Sequence, residues 1–344
     1  MRSRSLVHIG STVACLAVLL GVSAVPAFAT DPSPRPPQAS IVGVGSDTAQ
    51  DVMEKVGTTP ARSGYSRNYN ATTSTFKLWG YDATGSATIV TKIGCPAITR
   101  PNGSGSGIAA LKADEAARRG CIDFARSSRV KNTATDGDLL FVPYARDGVT
   151  WATFPSAPGS TSFHAPANLT TAQLKAIYTC TVTRWNQVGG SNFPIVAYLP
   201  QASSGTRSFF LTAIGVTTPG ACVKQPITLE ENNGTLIPAA NRPNAILPFS
   251  TAKWIAQKNT VSTDTRAGAT LRRINGTAPL TATGTLNTGF SPTYLRLIFN
   301  VIKPADKAKT LFSKIFARTG YICTHPSIAT TFGFAALPTA RCGY

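Results

Sequence analysis

The chain has 344 residues, with 33 Lys and Arg against 15 Asp and Glu, for a formal net charge of +18. At 42% hydrophobic and 14% charged residues it can bury an extensive core, which excludes a disordered polycation. The basic residues are scattered and no nucleic-acid motif accompanies them. The charge therefore reads as a surface suited to anionic cell-wall polymers, not to nucleic acid.

The first 29 residues have the pattern of a secretory signal. Arg2 and Arg4 precede an apolar run from Val13 to Val22, and Ala27-Phe28-Ala29 offers a small-x-small cleavage site before Thr30. Cys15 lies inside the apolar run rather than just after it, so the expected product is secreted and not lipid-anchored. No later stretch is long and apolar enough to span a bilayer. The leader carries two Arg and no acid, so the mature chain of 344 − 29 = 315 residues has a charge of 18 − 2 = +16.

Six cysteines follow the leader: Cys95, Cys121, Cys180, Cys222, Cys323 and Cys342. An even number in an exported chain favours disulfides, and no Cys-x-x-Cys pair points to a metal site. Their spacing alone leaves the pairing open.

In chain order, Thr30 to Gln38 holds four Pro in nine residues and reads as an extended linker. Ala39 to Val44 is a strand. The turn Gly45-Ser46-Asp47-Thr48 then opens a helix with Val52 and Val56 on one face. Arg62 to Gly94 is polar and aromatic, irregular or weakly stranded. The Gly/Ser loop Arg100 to Gly107 feeds an Ala-rich helix from Ile108 to Arg119, which Gly120 is placed to end. Such a loop aims backbone N–H groups and hydroxyls at one point, with the positive end of the helix dipole behind them.

Ile122 to Ala125 is a strand that runs into Arg126-Ser127-Ser128-Arg129. Two strands, Leu139 to Ala145 and Gly148 to Ala152, carry the chain onward. A helix capped by Thr170 or Thr171 runs to Tyr178. The strand Ile195 to Leu199 enters Gln201 to Arg207, and a helix follows through Leu211. Ile246 to Phe249 leads into a helix at Thr251 to Ala256. Leu295 to Ile302 is a buried strand, and Asp306 to Ala317 an amphipathic helix. Alternating strands and helices of this kind predict an α/β fold.

In this order, the loops resemble those of the periplasmic-type phosphate-binding proteins of ABC importers, over nearly all of the mature chain. Gly43 to Thr48 stands where that family has its first phosphate loop, and Gly103 to Gly107 matches its Gly/Ser helix start. Asp123-Phe124-Ala125-Arg126-Ser127-Ser128 is similar to the family's Asp-Phe-Gly-Ala-Ser-Asp. Leu174-Lys175-Ala176-Ile177-Tyr178 with Arg184-Trp185-Asn186 is similar to its Leu-x-x-Ile-Tyr and Lys-Trp-Asn segment. Ser203-Ser204-Gly205-Thr206 falls on its Gly-Ser-Gly-Thr loop.

The resemblance implies an α/β, two-lobed type II periplasmic-binding-protein fold with a ligand cleft between the lobes. Lobe one would be 30–145 plus 295–344, and lobe two 146–294. It implies phosphate or a similar oxyanion held by Ser46, Asp47, Thr48, Ser104, Gly105, Ser106, Arg126, Ser127, Ser128, Ser204, Gly205, Thr206 and Arg207. It also implies no enzymatic activity, no cofactor or metal, a monomer, and an ABC permease as partner. Pairing of neighbouring cysteines (Cys95 with Cys121, Cys180 with Cys222, Cys323 with Cys342) keeps each disulfide within one of these lobes.

Three positions depart from the family pattern. Ser128 stands where the family has a carboxylate that accepts the proton of hydrogen phosphate. Pro200 or Gln201 falls where it has an Arg, and Asp47 replaces a Thr. Asp47 is the candidate replacement acceptor, and Arg126 or Arg207 the replacement cation. The alternative is a secreted binding or adhesive protein of the same fold with a different ligand or none. A hydrolase has less support, since His164 and His325 lack a catalytic context and no Gly-x-Ser-x-Gly elbow is present. Trp79, Trp151, Trp185 and Trp254 read as packing residues rather than a sugar-stacking platform.

Overall fold

A computed structural model of the chain describes residues 31–56 and 78–344. The leader with Cys15 and its cleavage site, and most of the first half of the Arg62 to Gly94 segment, lie outside the described residues. The chain opens with β1 (Ile41–Gly45), α1 (Gln50–Val56), β2 (Leu78–Gly80), β3 (Thr88–Ile89), β4 (Ile98–Thr99), α2 (Gly103–Ala116) and β5 (Phe124–Ser127). There follow β6 (Leu140–Thr153), β7 (Asn168–Leu169), α3 (Thr171–Tyr178), β8 (Val196–Ala197), α4 (Gly205–Ala213), β9 (Ala245–Ser250) and α5 (Thr251–Lys258). Last come β10 (Thr270–Leu271), β11 (Arg273–Ile274), β12 (Leu295–Ile302), α6 (Thr310–Phe316), α7 (Tyr321–Thr324), α8 (Ser327–Thr331) and β13 (Ala335–Ala336).

The main sheet has the order β2-β1-β5-β12-β6-β9-β8, with β10 and β13 also pairing with β6. β1 is parallel to β2 and β5, whereas β12 is antiparallel to both β5 and β6. The two strands expected at 139–145 and 148–152 are one long strand, β6. Its first part pairs with β12 and its second with β9. Continuous β6 and returning β12 place residues in both of the cores described next.

Four apolar clusters form the interior. Two draw on residues between 41 and 145 and between 298 and 342, with Ala252 and Ala256 added, around Phe124, Val142, Ile298 and Phe316. These make a first core. The other two lie wholly between Val149 and Tyr294, around Trp151, Trp185, Phe210 and Phe249, and make a second. Trp79, Trp151, Trp185 and Trp254 are all buried in these clusters. The cysteines pair as neighbours: Cys95–Cys121, Cys180–Cys222 and Cys323–Cys342.

Two elements differ from the sequence reading for clear reasons. The Gly/Ser stretch 103–107 is not a loop but the first turn of α2. Its glycines allow close approach of backbones: a Cβ on Gly107 would lie 2.6 Å from the Gly45 Cα, and one on Gly103 2.5 Å from the Ser203 carbonyl oxygen. The other is Thr30 to Gln38, whose described part is tied down rather than a free linker. Arg100 forms a 2.6 Å salt bridge to Asp31, and the Ile93 N–H donates to the Pro36 carbonyl at 3.0 Å. Beyond these two, the helix expected over Asp306 to Ala317 starts later, as α6, behind a 3-10 turn over Pro304–Ala308.

Candidate functional site

Four chain turns meet where the two cores adjoin. After β1 come Ser46, Asp47 and Thr48. The start of α2 brings Ser104, and the turn after β5 brings Ser128. From the other side, Ser204 caps α4, its hydroxyl accepting the Arg207 N–H at 3.0 Å, and Thr206 follows. The meeting is tight: a Cβ on Gly205 would lie 2.3 Å from the Ser128 hydroxyl and 2.4 Å from that of Ser104. Ser46, Thr48, Ser104, Ser128, Ser204 and Thr206 are all buried.

At the centre stands a residue absent from the sequence-derived set, Glu231. Its Oε1 accepts from the Thr48 hydroxyl at 3.0 Å, the Thr48 N–H at 3.3 Å and the Ser46 hydroxyl at 3.5 Å. Its Oε2 accepts from the Thr206 N–H at 3.1 Å and, at closer range, from the Ser204 hydroxyl. One carboxylate thus takes five donors, three from the first-core side and two from the second. Ser104, in contrast, serves Ser128: its hydroxyl accepts the Ser128 N–H at 3.0 Å.

Arg296, on β12, is the second residue the sequence-derived set lacks. It is buried, donates to the Thr206 hydroxyl at 3.0 Å and to the Ser128 carbonyl at 2.9 Å, and pairs with buried Asp147 at 2.8 Å. Burial by itself would raise the Glu231 carboxyl, but the charge of Arg296 and the hydrogen bonds from Ser204, Thr206 and Thr48 outweigh it. The carboxyl is held below its usual range, and so is ionised at neutral pH.

The remaining sequence-derived candidates hold the cradle or border it. Arg126 is fully buried, and its guanidinium donates to the carbonyls of Ser46 (3.1 Å), Gly45 (3.0 Å) and Tyr81 (2.8 Å). It fixes the first turn from behind. Arg207 donates to the Pro200 carbonyl at 2.9 Å and to Gln225. The Ser127 hydroxyl donates to the Arg129 carbonyl at 2.8 Å. Gly105 and Ser106 contact Ser203, through a 3.0 Å backbone bond and a 2.9 Å hydroxyl bond.

Asp47 faces Lys253 at 3.9 Å, beside a 3.0 Å Lys253–Asp51 pair. Burial pushes its carboxyl up to about 6; Lys253 opposes this, and the charges of Glu231 and Asp51 add to it. Glu230 accepts from the Asn102 amide at 2.7 Å, and its Oε2 is buried without a hydrogen-bond partner among the described residues. Burial, followed by the charges of Asp47 and Glu231 against the Asn102 bond, pushes Glu230 up to about 7.

A carboxyl raised on folding binds its proton more tightly in the folded than in the unfolded chain, where its value is about 4.3. Its contribution to stability is complete below that value and is lost as pH rises through about 7. Urea denaturation between pH 5 and 7 is expected to show a falling component that Glu230→Gln removes. An unchanged slope in that variant would place the titration elsewhere.

A deep cradle of hydroxyls and N–H groups between two α/β halves, crossed by two strands, is the architecture of a two-lobed solute-binding protein. Residues 30–313 match the model of the PBP superfamily domain, and the chain belongs to that family. Among solved structures it is similar to an ABC-type phosphate transport receptor from Vibrio cholerae, at 18% identity and TM-score 0.56, over 87% of this chain and 100% of that one. A putative phosphate ABC transporter substrate-binding protein from Clostridium perfringens, with bound phosphate, shares 17% identity at TM-score 0.58, over 87% and 100%. A phosphate-binding protein from Stenotrophomonas maltophilia shares 12% at TM-score 0.50, over 88% and 91%. At these identities the likeness shows the fold. Among curated protein sequences none matches. No helix among the described residues is long and apolar enough to cross a membrane.

Proposed function

We propose that the chain is an exported solute-binding protein that takes phosphate or a similar oxyanion between its lobes and delivers it to an ABC permease. The lobes are 30–145 plus 295–344 and 146–294. The protein acts as a freely secreted monomer without enzymatic activity, its basic surface facing an anionic envelope.

One observation carries this reading: donors from both halves converge on a single two-oxygen anion, the Glu231 carboxylate. Three hydroxyls and two N–H groups, backed by Arg296, suit a compact oxyanion in the same way. The names of the similar structures, phosphate receptors of ABC transporters, point the same way.

Calorimetric titration with inorganic phosphate and sulfate tests the proposal, with Glu231→Ala as the parent so that the native carboxylate does not compete. A hydrogen bond to a charged ligand contributes about 1.5–3 kcal/mol. Thr48→Val or Ser204→Ala on that parent is therefore expected to weaken phosphate binding about tenfold or more. Unchanged affinity in both would move the site elsewhere.

The same contact favours a second reading. A cradle whose donors are already taken is what a binding or adhesive protein would keep after giving up a small ligand.

A further inference from the structure

The cradle that would receive a solute is filled by the chain itself. Glu231 is 2% exposed, and the four residues donating to it are 0–1% exposed, so a solute anion meets no free donor there. The occupant also bridges. Ser46 and Thr48 belong to the turn after β1, under the first core, while Ser204 and Thr206 open α4, under the second. A solute bound in this cleft would join the same two sets of groups.

The flanking residues reinforce the bridge. Glu230 accepts from Asn102, just before α2, at 2.7 Å. Asn232 donates to the Thr48 hydroxyl at 3.1 Å and accepts the Ser250 N–H at 2.8 Å. Three consecutive side chains of a second-core segment thus bond to turns on the first-core side. Asn232 has a φ of +62°, a left-handed conformation uncommon outside glycine that the bonds on either side hold in place. The segment is built into this position rather than resting there.

We propose that Glu231 is an intramolecular ligand: it closes the lobes without solute, and a solute anion enters the cradle only by displacing it. The proposal rests on the reading of the cradle as an oxyanion site. An occupied site lowers apparent affinity by the fraction of molecules whose cradle is free. The wild-type protein therefore binds phosphate more weakly than its donor set allows, and its lobe closure does not follow phosphate concentration as a simple receptor's would.

The experiment compares wild type, Glu231→Ala and Glu231→Gln by small-angle X-ray scattering and by calorimetry with inorganic phosphate. Wild type is expected to have the same radius of gyration with and without phosphate. Glu231→Ala is expected to be larger without phosphate, to contract on adding it, and to bind it at least tenfold more tightly than wild type. Glu231→Gln keeps the side-chain shape but carries no charge and one acceptor oxygen. It should shift in the same direction and serves if the alanine variant does not fold.

Variants as compact as wild type without phosphate overturn the latch, and so do variants that open and bind phosphate measurably but no more tightly than wild type. A variant that opens yet binds neither phosphate nor sulfate would leave the latch standing and remove the oxyanion reading of the cradle.

Discussion

Replacing Arg296 by Met is expected to cost about 3–5 kcal/mol of stability, because it strands buried carboxylates without their cation. Asp147 loses the 2.8 Å partner on which its fully buried oxygen depends, and keeps only the Ala252 N–H at 3.0 Å. Glu231 loses the charge that keeps it ionised, and Thr206 and Ser128 each lose a donated hydrogen bond. The pair joins β6 to β12, whose residues pack into both cores, so damage there reaches both. Replacing both partners, as Arg296→Met with Asp147→Leu, removes the stranded charge on Asp147 and should recover part of the loss. Urea denaturation followed by circular dichroism measures both variants. A loss below about 1 kcal/mol in the single variant would mean that water or another cation reaches Asp147.

The second large effect lies in the other core. Trp185 and Trp151 stack at 6.1 Å between ring centroids, both fully buried. Trp185→Ala should cost about 3–5 kcal/mol through lost burial and the cavity left behind. Trp185→Phe should cost much less. The indole N–H of Trp185 is buried without a hydrogen-bond partner among the described residues, so phenylalanine removes an unpaid polar group along with some volume. The same denaturation assay decides this. Equal losses in the two variants would show that burial of the ring is not what Trp185 contributes. A change in solute binding without a change in stability would contradict the packing role of Trp185.

Much of this fold could be read in the sequence because its local signals agree. β1, β5, β12 and the caps of α3 and α4 follow from apolar runs bounded by Gly, Ser and Thr. The turn residues that meet in the cleft belong to those strand–turn–helix units, and so were accessible too. Arg126 was harder. Its position in a Ser-rich turn suggests an anion contact, but the backbone carbonyls of the first turn claim its guanidinium, which no spacing reveals.

Glu231 left almost no local signal. It lies 27 residues beyond Ser204, in a polar stretch with no period. The one local cue is that two of the chain's 15 acidic residues stand side by side, ahead of Asn232-Asn233-Gly234. Arg296 had a better one: a charged residue inside the apolar strand Leu295 to Ile302 must be paired if that strand is buried. Both partners of the cradle therefore came from tertiary structure, while its walls came from motifs.

A crystal structure of the Glu231→Ala variant grown in phosphate tests most directly whether the cradle is an oxyanion site that Glu231 occupies. Phosphate density is expected in the space of the missing carboxylate, within hydrogen-bond distance of the Ser46, Thr48 and Ser204 hydroxyls and the Thr48 and Thr206 N–H groups. Phosphate bound elsewhere, or a cradle that remains closed and free of anion at saturating phosphate, would contradict it.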